Sequence, residues 1–159
     1  MWRFVREACD QGSALAEAKQ VAFRRQIPNQ PVWIKGDSHA LHRLFLILID
    51  NAVKYTPADG CVEVSLRESD GSAVGEVRDT GIGIGADDLP SVFERFYRAD
   101  KARSRESGGV GLGLSIGRWI AEAHAGTIEV QSSLGHGSVF QVRLPLANSD
   151  SWNKESNFA

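Results

Sequence analysis

Apolar positions along the 159-residue chain follow two periodicities, and the breaks between them mark its elements. Val5, Ala8, Cys9, Gly12, Leu15 and Ala16 recur at helical spacing, which predicts an amphipathic helix from residue 2 to about 22. Short extended pieces are expected at about 22–27 and 32–35, on either side of a turn region holding Pro28 and Pro31. Asp37 or Ser38 reads as an N-cap. Behind it Leu41, Leu44, Phe45, Leu48, Ala52 and Tyr55 mark one face of a long helix, closed by Pro57 and Gly60. The period then changes to two. In 61–67, Val62, Val64 and Leu66 share a face; in 73–79, Ala73, Gly75 and Val77 share one with Asp79. Residues 80–108 carry only short helical hints, at 87–89 and 92–97. Residues 111–125 are helical again, with Leu112, Ile116, Trp119, Ile120 and Ala123 on one stripe. Two last strands, 127–132 and 138–144, flank the turn Leu134-Gly135-His136-Gly137, a hairpin signal.

Interleaved helices and hairpins of this kind predict an α+β domain. The expected form is a two-layer α/β sandwich, with three main helices on one face of a mixed, largely antiparallel sheet. The domain should occupy residues 1–147, and the polar stretch 148–159 reads as a disordered tail. The connection from Thr80 to Gly108 does not fit a simple sandwich, because loops that long are usually lids or binding loops.

Composition narrows the function. Hydrophobic residues make up 42% and charged residues 24%, with a net charge of −2, close to the soluble average. That near-neutral balance argues against nucleic-acid binding driven by positive charge. The longest apolar run, Leu44 to Ile49, stops at Asp50 and cannot span or insert into a bilayer. Arg3, Arg6, Glu7 and Asp10 break up any signal peptide. Cys9 and Cys61 lack metal or redox spacing and suit buried thiols in a reducing, cytoplasmic compartment.

The 16 glycines cluster instead of scattering. One cluster is Asp79-Thr80-Gly81-Ile82-Gly83-Ile84-Gly85, the other Gly108-Gly109-Val110-Gly111-Leu112-Gly113-Leu114, at the two ends of the long loop. The second leads into a helix whose free N–H groups suit a phosphate chain. A P-loop is excluded because Leu114 follows Gly113 where Lys is required. Gly81, Gly83 and Ala86 approximate a dinucleotide fingerprint, but Asp87, Asp88 and Pro90 follow and no βαβ unit surrounds it.

Strand parity puts Asp79 on the buried face, where a carboxylate needs donors. It either caps the following turn or accepts from a ligand's amino group. Asn51, Lys54 and Tyr55 share one side of the long helix's end. Asn offers an oxygen to Mg²⁺, Lys a charge to phosphate and Tyr a flat surface to a base. Lys54 could equally pair with Asp50, and Tyr55 could be core.

Taken together these segments resemble the sensor histidine kinases. Asp50-Asn51-Ala52-Val53-Lys54-Tyr55-Thr56 is similar to their N box and Asp79–Gly85 to their G1 box. Phe93-Glu94-Arg95-Phe96-Tyr97-Arg98 is similar to the F box, Gly109–Leu114 to the G2 box, and Gly135-His136-Gly137-Ser138-Val139-Phe140 to the terminal signature. The match runs from about Val5 to Leu146 and is identified with the Bergerat-fold ATPase/kinase group.

The resemblance implies an ATP site with a long lid. Asp79 would accept from the adenine amine, and Tyr55 would lie beside the base. Asn51 would hold Mg²⁺, and Lys54 would meet the phosphates. Gly81 and Gly83 would allow the turn beneath the base. Gly109, Gly111 and Gly113, with Leu112, would let the lid close and its helix start bind phosphate. Ser138, counted among the nucleotide-binding residues, replaces the usual Thr and keeps the hydroxyl on the face of Phe140. Lys54 with Arg95 or Arg98 would steady the transferring phosphate. The lid also carries Lys101, Arg103 and Arg105.

Two further departures matter. Ile47 stands where the family usually has a second Asn and related ATPases a general-base Glu, so self-contained hydrolysis is not expected. Ala125 stands where a Gly commonly follows the histidine matching His124. None of the four histidines, His39, His42, His124 and His136, precedes an acidic residue on an upstream hairpin. The expected partner is therefore a dimerisation domain of the same kinase that supplies the phosphoacceptor, with a response regulator downstream. The parent kinase would be anchored in the cytoplasmic membrane through other segments. Two other readings stand: a serine kinase of the anti-sigma type, and a nucleotide-sensing module without transfer activity.

Overall fold

The computed structural model describes residues 2–98 and 111–147. The element order is α1 (Trp2–Ala18), β1 (Ala22–Gln26), α2 (Ser38–Tyr55), β2 (Cys61–Ser69), β3 (Ser72–Asp79), α3 (Gly113–Ala123), β4 (Thr127–Ser132) and β5 (Ser138–Pro145). The strands form one five-stranded sheet in the order β1-β2-β3-β5-β4. Only β1 and β2 run parallel; the other three pairings are antiparallel. Three helices packed on a mixed sheet are the two-layer sandwich that the alternating periods predict.

The inward face of the sheet carries Val62, Val64, Leu66, Val77, Phe140, Val142 and Leu144, all buried. Against them α2 sets Leu41, Leu44, Phe45, Leu48 and Ile49, each at most 1% exposed. Burying side chains of this size stabilises by about 1.5–3 kcal/mol each, so α2 is the spine of the core. Asp37 is its N-cap, accepting from the amides of His39 at 2.8 Å and Ala40 at 3.2 Å. Those two donors hold the Asp37 carboxyl below its ordinary pKa.

The periodic reading errs in four places. Leu15 and Trp119 are exposed, at 44% and 66%, and Ala123 is also exposed. The buried side of α3 is Gly117, Ile120 and Ala121. A Cβ on Gly117 would lie 3.1 Å from Leu44, so α3 meets α2 through small residues that a count of large apolar positions overlooks. Residues 32–35 form no strand, only a bridge between Ile34 and Leu146. The hints at 87–89 and 92–97 reduce to one 3-10 turn, Leu89–Ser91, and Phe96 at φ 63° ends any helical continuation. The expected tail, 148–159, lies outside the described residues.

Candidate functional site

The site begins at the end of α2, where the last four carbonyls of a helix lack internal partners. Here all four are satisfied. The Thr56 hydroxyl donates to Ala52 O at 2.7 Å and the Thr56 amide to Val53 O at 3.3 Å. Lys19 Nζ donates to Val53 O at 2.9 Å and Lys54 O at 2.5 Å. The Ile82 amide donates to Tyr55 O at 3.2 Å, tying the first glycine loop to the helix end. This turn carries Asn51, Lys54 and Tyr55, all half-buried and all lining one cleft of about 280 Å³. The Lys54 ammonium lies 5.9 Å from the Tyr55 ring centroid, and among the described residues no ion pair joins it to Asp50.

Asp79 faces the same cleft from the end of β3 and is 6% exposed. Its Oδ1 accepts from the Gly81 amide at 2.8 Å, and the Ser138 backbone also donates to it. Burial nevertheless outweighs these donors and raises its pKa. The glycines make this packing feasible. A Cβ on Gly81 would stand 2.4 Å from Tyr55 O, and one on Gly83, at φ +73°, would stand 2.0 Å from Ser133 O. Ser138, opposite Asp79 in the β3–β5 register, is buried and lines the cleft. Its hydroxyl lies 2.8 Å from Ser132 Oγ, which accepts from the Ile84 amide at 2.7 Å and donates to Gly137 O at 2.7 Å.

The third wall is the start of α3. Gly111, Leu112, Gly113 and Leu114 line the cleft, and the helix begins at Gly113 instead of Gly111. The Phe96 amide donates to Gly111 O at 2.9 Å, which joins the Phe93–Arg98 segment to this end of the long connection. Tyr97 and Arg98 line the cleft; Arg95 is exposed and does not. The structure therefore brings together Asn51, Lys54, Tyr55, Asp79, Gly83, Arg98, Gly111, Leu112, Gly113 and Ser138. Gly81 underlies the cleft without lining it. Gly109 and the lid cations Lys101, Arg103 and Arg105 lie outside the described residues.

Sequence reasoning missed several residues of this site. Ile82, Ile84 and Val92 line the cleft as apolar surface, and Tyr97 donates a short hydrogen bond to Asp88. That bond, followed by burial, raises the Tyr97 pKa. Ser132 could have been found from the hairpin, because the five residues 133–137 between the strands put it opposite Ser138. Lys19 has no local pattern that announces it.

Known proteins give the family of the chain that carries this cleft. Residues 36–148 match the family of histidine kinase-, DNA gyrase B-, and HSP90-like ATPases. The chain belongs to this family. Within it the similarity is to histidine kinases. Sensor histidine kinase RppB of Synechocystis is 42% identical over 132 residues, 83% of this chain and 29% of that protein. Sensor-like histidine kinase SenX3 of Mycobacterium tuberculosis is 40% identical over 141 residues, 89% of this chain and 34% of that protein. The solved mycobacterial sensor histidine kinase MprB superimposes with a TM-score of 0.76 at 30% identity, covering 89% of this chain and 95% of that one. The chain is thus a histidine kinase catalytic, ATP-binding domain, and it spans about a third of the curated relatives it matches. No helix among the described residues is long and apolar enough to cross a membrane.

Proposed function

We propose that this domain binds Mg²⁺-ATP and transfers the γ-phosphate to a histidine on a dimerisation domain of the same kinase, from which a response regulator receives it. The observation that carries the proposal is the buried Asp79 carboxylate lining the same cleft as Asn51, Lys54 and Tyr55. An ionised acceptor in a desolvated wall is suited to a ligand amine, and the adenine 6-amino group supplies one. Ile82 and Ile84 offer the base apolar surface, Tyr55 lies beside it, and Ser138 completes the pocket floor. Gly81 and Gly83 keep the turn beneath it free of side chains. At the other end Lys54 and the start of α3 at Gly111, Leu112 and Gly113 meet the phosphates, where a helix N-terminus favours negative charge.

Mg²⁺ fits this donor set only together with a nucleotide. Among the described residues no group of three His, Cys, Asp or Glu side chains could hold a metal by itself. Asn51 is the protein ligand we assign, and phosphate oxygens and waters complete the shell such an ion requires. Ile47, one turn earlier, supplies no oxygen to the cleft, and a Cβ on Gly113 would lie 3.4 Å from its side chain. The chemistry of the bound ion is to neutralise charge on the phosphates as transfer proceeds.

Of the two candidate arginines, Arg98 is favoured for the γ-phosphate because it lines the cleft and Arg95 does not. In the step itself the bond from the γ-phosphorus to its bridging oxygen breaks, a phosphorus–nitrogen bond forms, and ADP leaves. The imidazole proton passes to a base on the acceptor's domain. The domain's own work is positioning and charge neutralisation. We assign it to the cytoplasmic side of a kinase anchored through other segments.

Incubation with labelled ATP and a separate histidine-bearing hairpin domain tests the proposal. Acid-labile label on the hairpin, and none on this chain alone, is expected. Tight ATP binding without transfer to any hairpin would favour a nucleotide-sensing module, the reading that Ile47 supports.

A further inference from the structure

The end of α2 is held by a residue from outside the segment that matches the family. Lys19 sits at the close of α1, upstream of residue 36 where that match begins. Its position is fixed by a helix-ending motif. Val21 N donates to Ala16 O at 2.9 Å and Gln20 N to Glu17 O at 3.1 Å, with Gln20 at φ 61°. From there the ammonium reaches two of the four terminal carbonyls of α2, Val53 O at 2.9 Å and Lys54 O at 2.5 Å. The next turn of chain is tied back to the same place, since the Asp59 amide donates to Gln20 O at 2.9 Å.

We infer that Lys19 is a positioning residue of the nucleotide site, acting on the phosphate end through the last turn of α2. The inference rests on the ATP reading above. Two physical effects follow from the contacts. First, the backbone of Lys54 is itself a hydrogen-bond partner, so the stem that carries the Lys54 ammonium starts from a fixed carbonyl. Second, a helix C-terminus carries a partial negative charge, and here it borders a cleft meant for a polyphosphate. A full positive charge on those carbonyls offsets it. The Thr56 side chain and the Ile82 amide satisfy their carbonyls as well, but as neutral donors they leave that pole in place. Lys54 is the helix's own cation in its last turn, and Lys19 adds a second whose ammonium bonds the terminal carbonyls directly. The N-terminal helix therefore contributes to phosphate affinity without lining the cleft.

The test compares Lys19→Met and Lys19→Arg with wild type, using ATP, ADP and adenosine as probes in calorimetry. Lys19→Met should weaken ATP by roughly three- to tenfold, the range of a lost helix-pole charge, and ADP by less. Adenosine should be almost unaffected, and Lys19→Arg should restore ATP binding. Equal losses for ATP and adenosine would overturn the electrostatic role and leave only a fold contact. Unchanged ATP affinity in Lys19→Met would overturn the inference outright. Amide hydrogen exchange in the nucleotide-free protein reads the brace separately. Lys19→Met should lower protection at Thr56 and Ile82; unchanged protection overturns the brace. If wild type itself fails to bind ATP, the nucleotide reading falls, and the exchange result still decides whether Lys19 fixes the helix end.

Discussion

Gly137 lies against the backbone of Asp79: a Cβ on it would stand 2.0 Å from the Asp79 carbonyl oxygen. Its φ of +75° is also one that side chains resist. Gly135, two residues earlier, has a similar φ of +78° but nothing within 4 Å of its Cβ position. The pair separates conformational strain from collision. Gly135→Ala should cost about 1 kcal/mol in denaturant unfolding. Gly137→Ala should cost about 3 kcal/mol or more and weaken nucleotide binding, because Asp79 must shift. Equal costs at the two sites would mean the turn does not press on the carboxylate strand.

Asp79→Asn should separate stability from binding. Burial raises the carboxyl above its unfolded value, so folding favours the neutral form. The stability contributed by this group is full below the unfolded pKa and is lost as pH rises through the folded one. Above the unfolded pKa this preference for the neutral form therefore destabilises the nucleotide-free fold. Asparagine keeps an oxygen for the Gly81 amide, so the variant should melt at a higher temperature near pH 7, with the difference vanishing in acid. ATP affinity should fall by about tenfold to a hundredfold, the value of a charge-assisted hydrogen bond. A lower melting temperature at pH 7 would contradict the raised carboxyl.

Ala125 occupies a glycine's place. It ends α3 at φ 57°, with its amide on Glu122 O at 3.0 Å and the Gly126 amide on Ala121 O at 2.9 Å. Left-handed backbone costs a residue with a Cβ about 1–2 kcal/mol. After the added freedom of the unfolded chain, Ala125→Gly should still raise stability by about 0.5–1 kcal/mol. The urea midpoint should rise with the slope unchanged. ATP binding at the opposite end of α3 should stay as it is.

The two arginines of the Phe93–Arg98 segment should differ. Arg98→Ala should slow phosphotransfer to an added hairpin domain by roughly tenfold or more, and Arg95→Ala should leave the rate within about twofold. The reverse order would move the phosphate-contacting role to Arg95.

Much of this was legible before any coordinates. Helical and strand periods marked the layers, and strand parity alone put Asp79 on the buried face, while the pairing of Ser138 with it came from the structure. The spacing of Asn51, Lys54 and Tyr55 predicted a shared wall, because positions one turn apart meet on any helix. What escaped depends on distant partners. Lys19 donates to residues 34 and 35 positions away, and Tyr97 reaches Asp88 across turns with no repeating pattern. Trp119 misled for a related reason. Large apolar side chains dominate a periodicity count, yet α3 approaches α2 through Gly117. The separation of Arg98 from Arg95 needed the left-handed Phe96 between them, which no propensity rule assigns to phenylalanine.

The place of β3 in the sheet has a kinetic consequence. It is the central strand, hydrogen-bonded to β2 on one side and to β5 on the other. The carboxylate at its end is thus mounted on the segment that opens only when the whole sheet does, whereas Ile82, Ile84 and Tyr97 belong to turns that open at far lower free energy. A nucleotide leaving the cleft would escape past those turns while the floor stayed in place. Its residence time would then follow local opening of the rim, and variants that merely lower global stability would leave it unchanged.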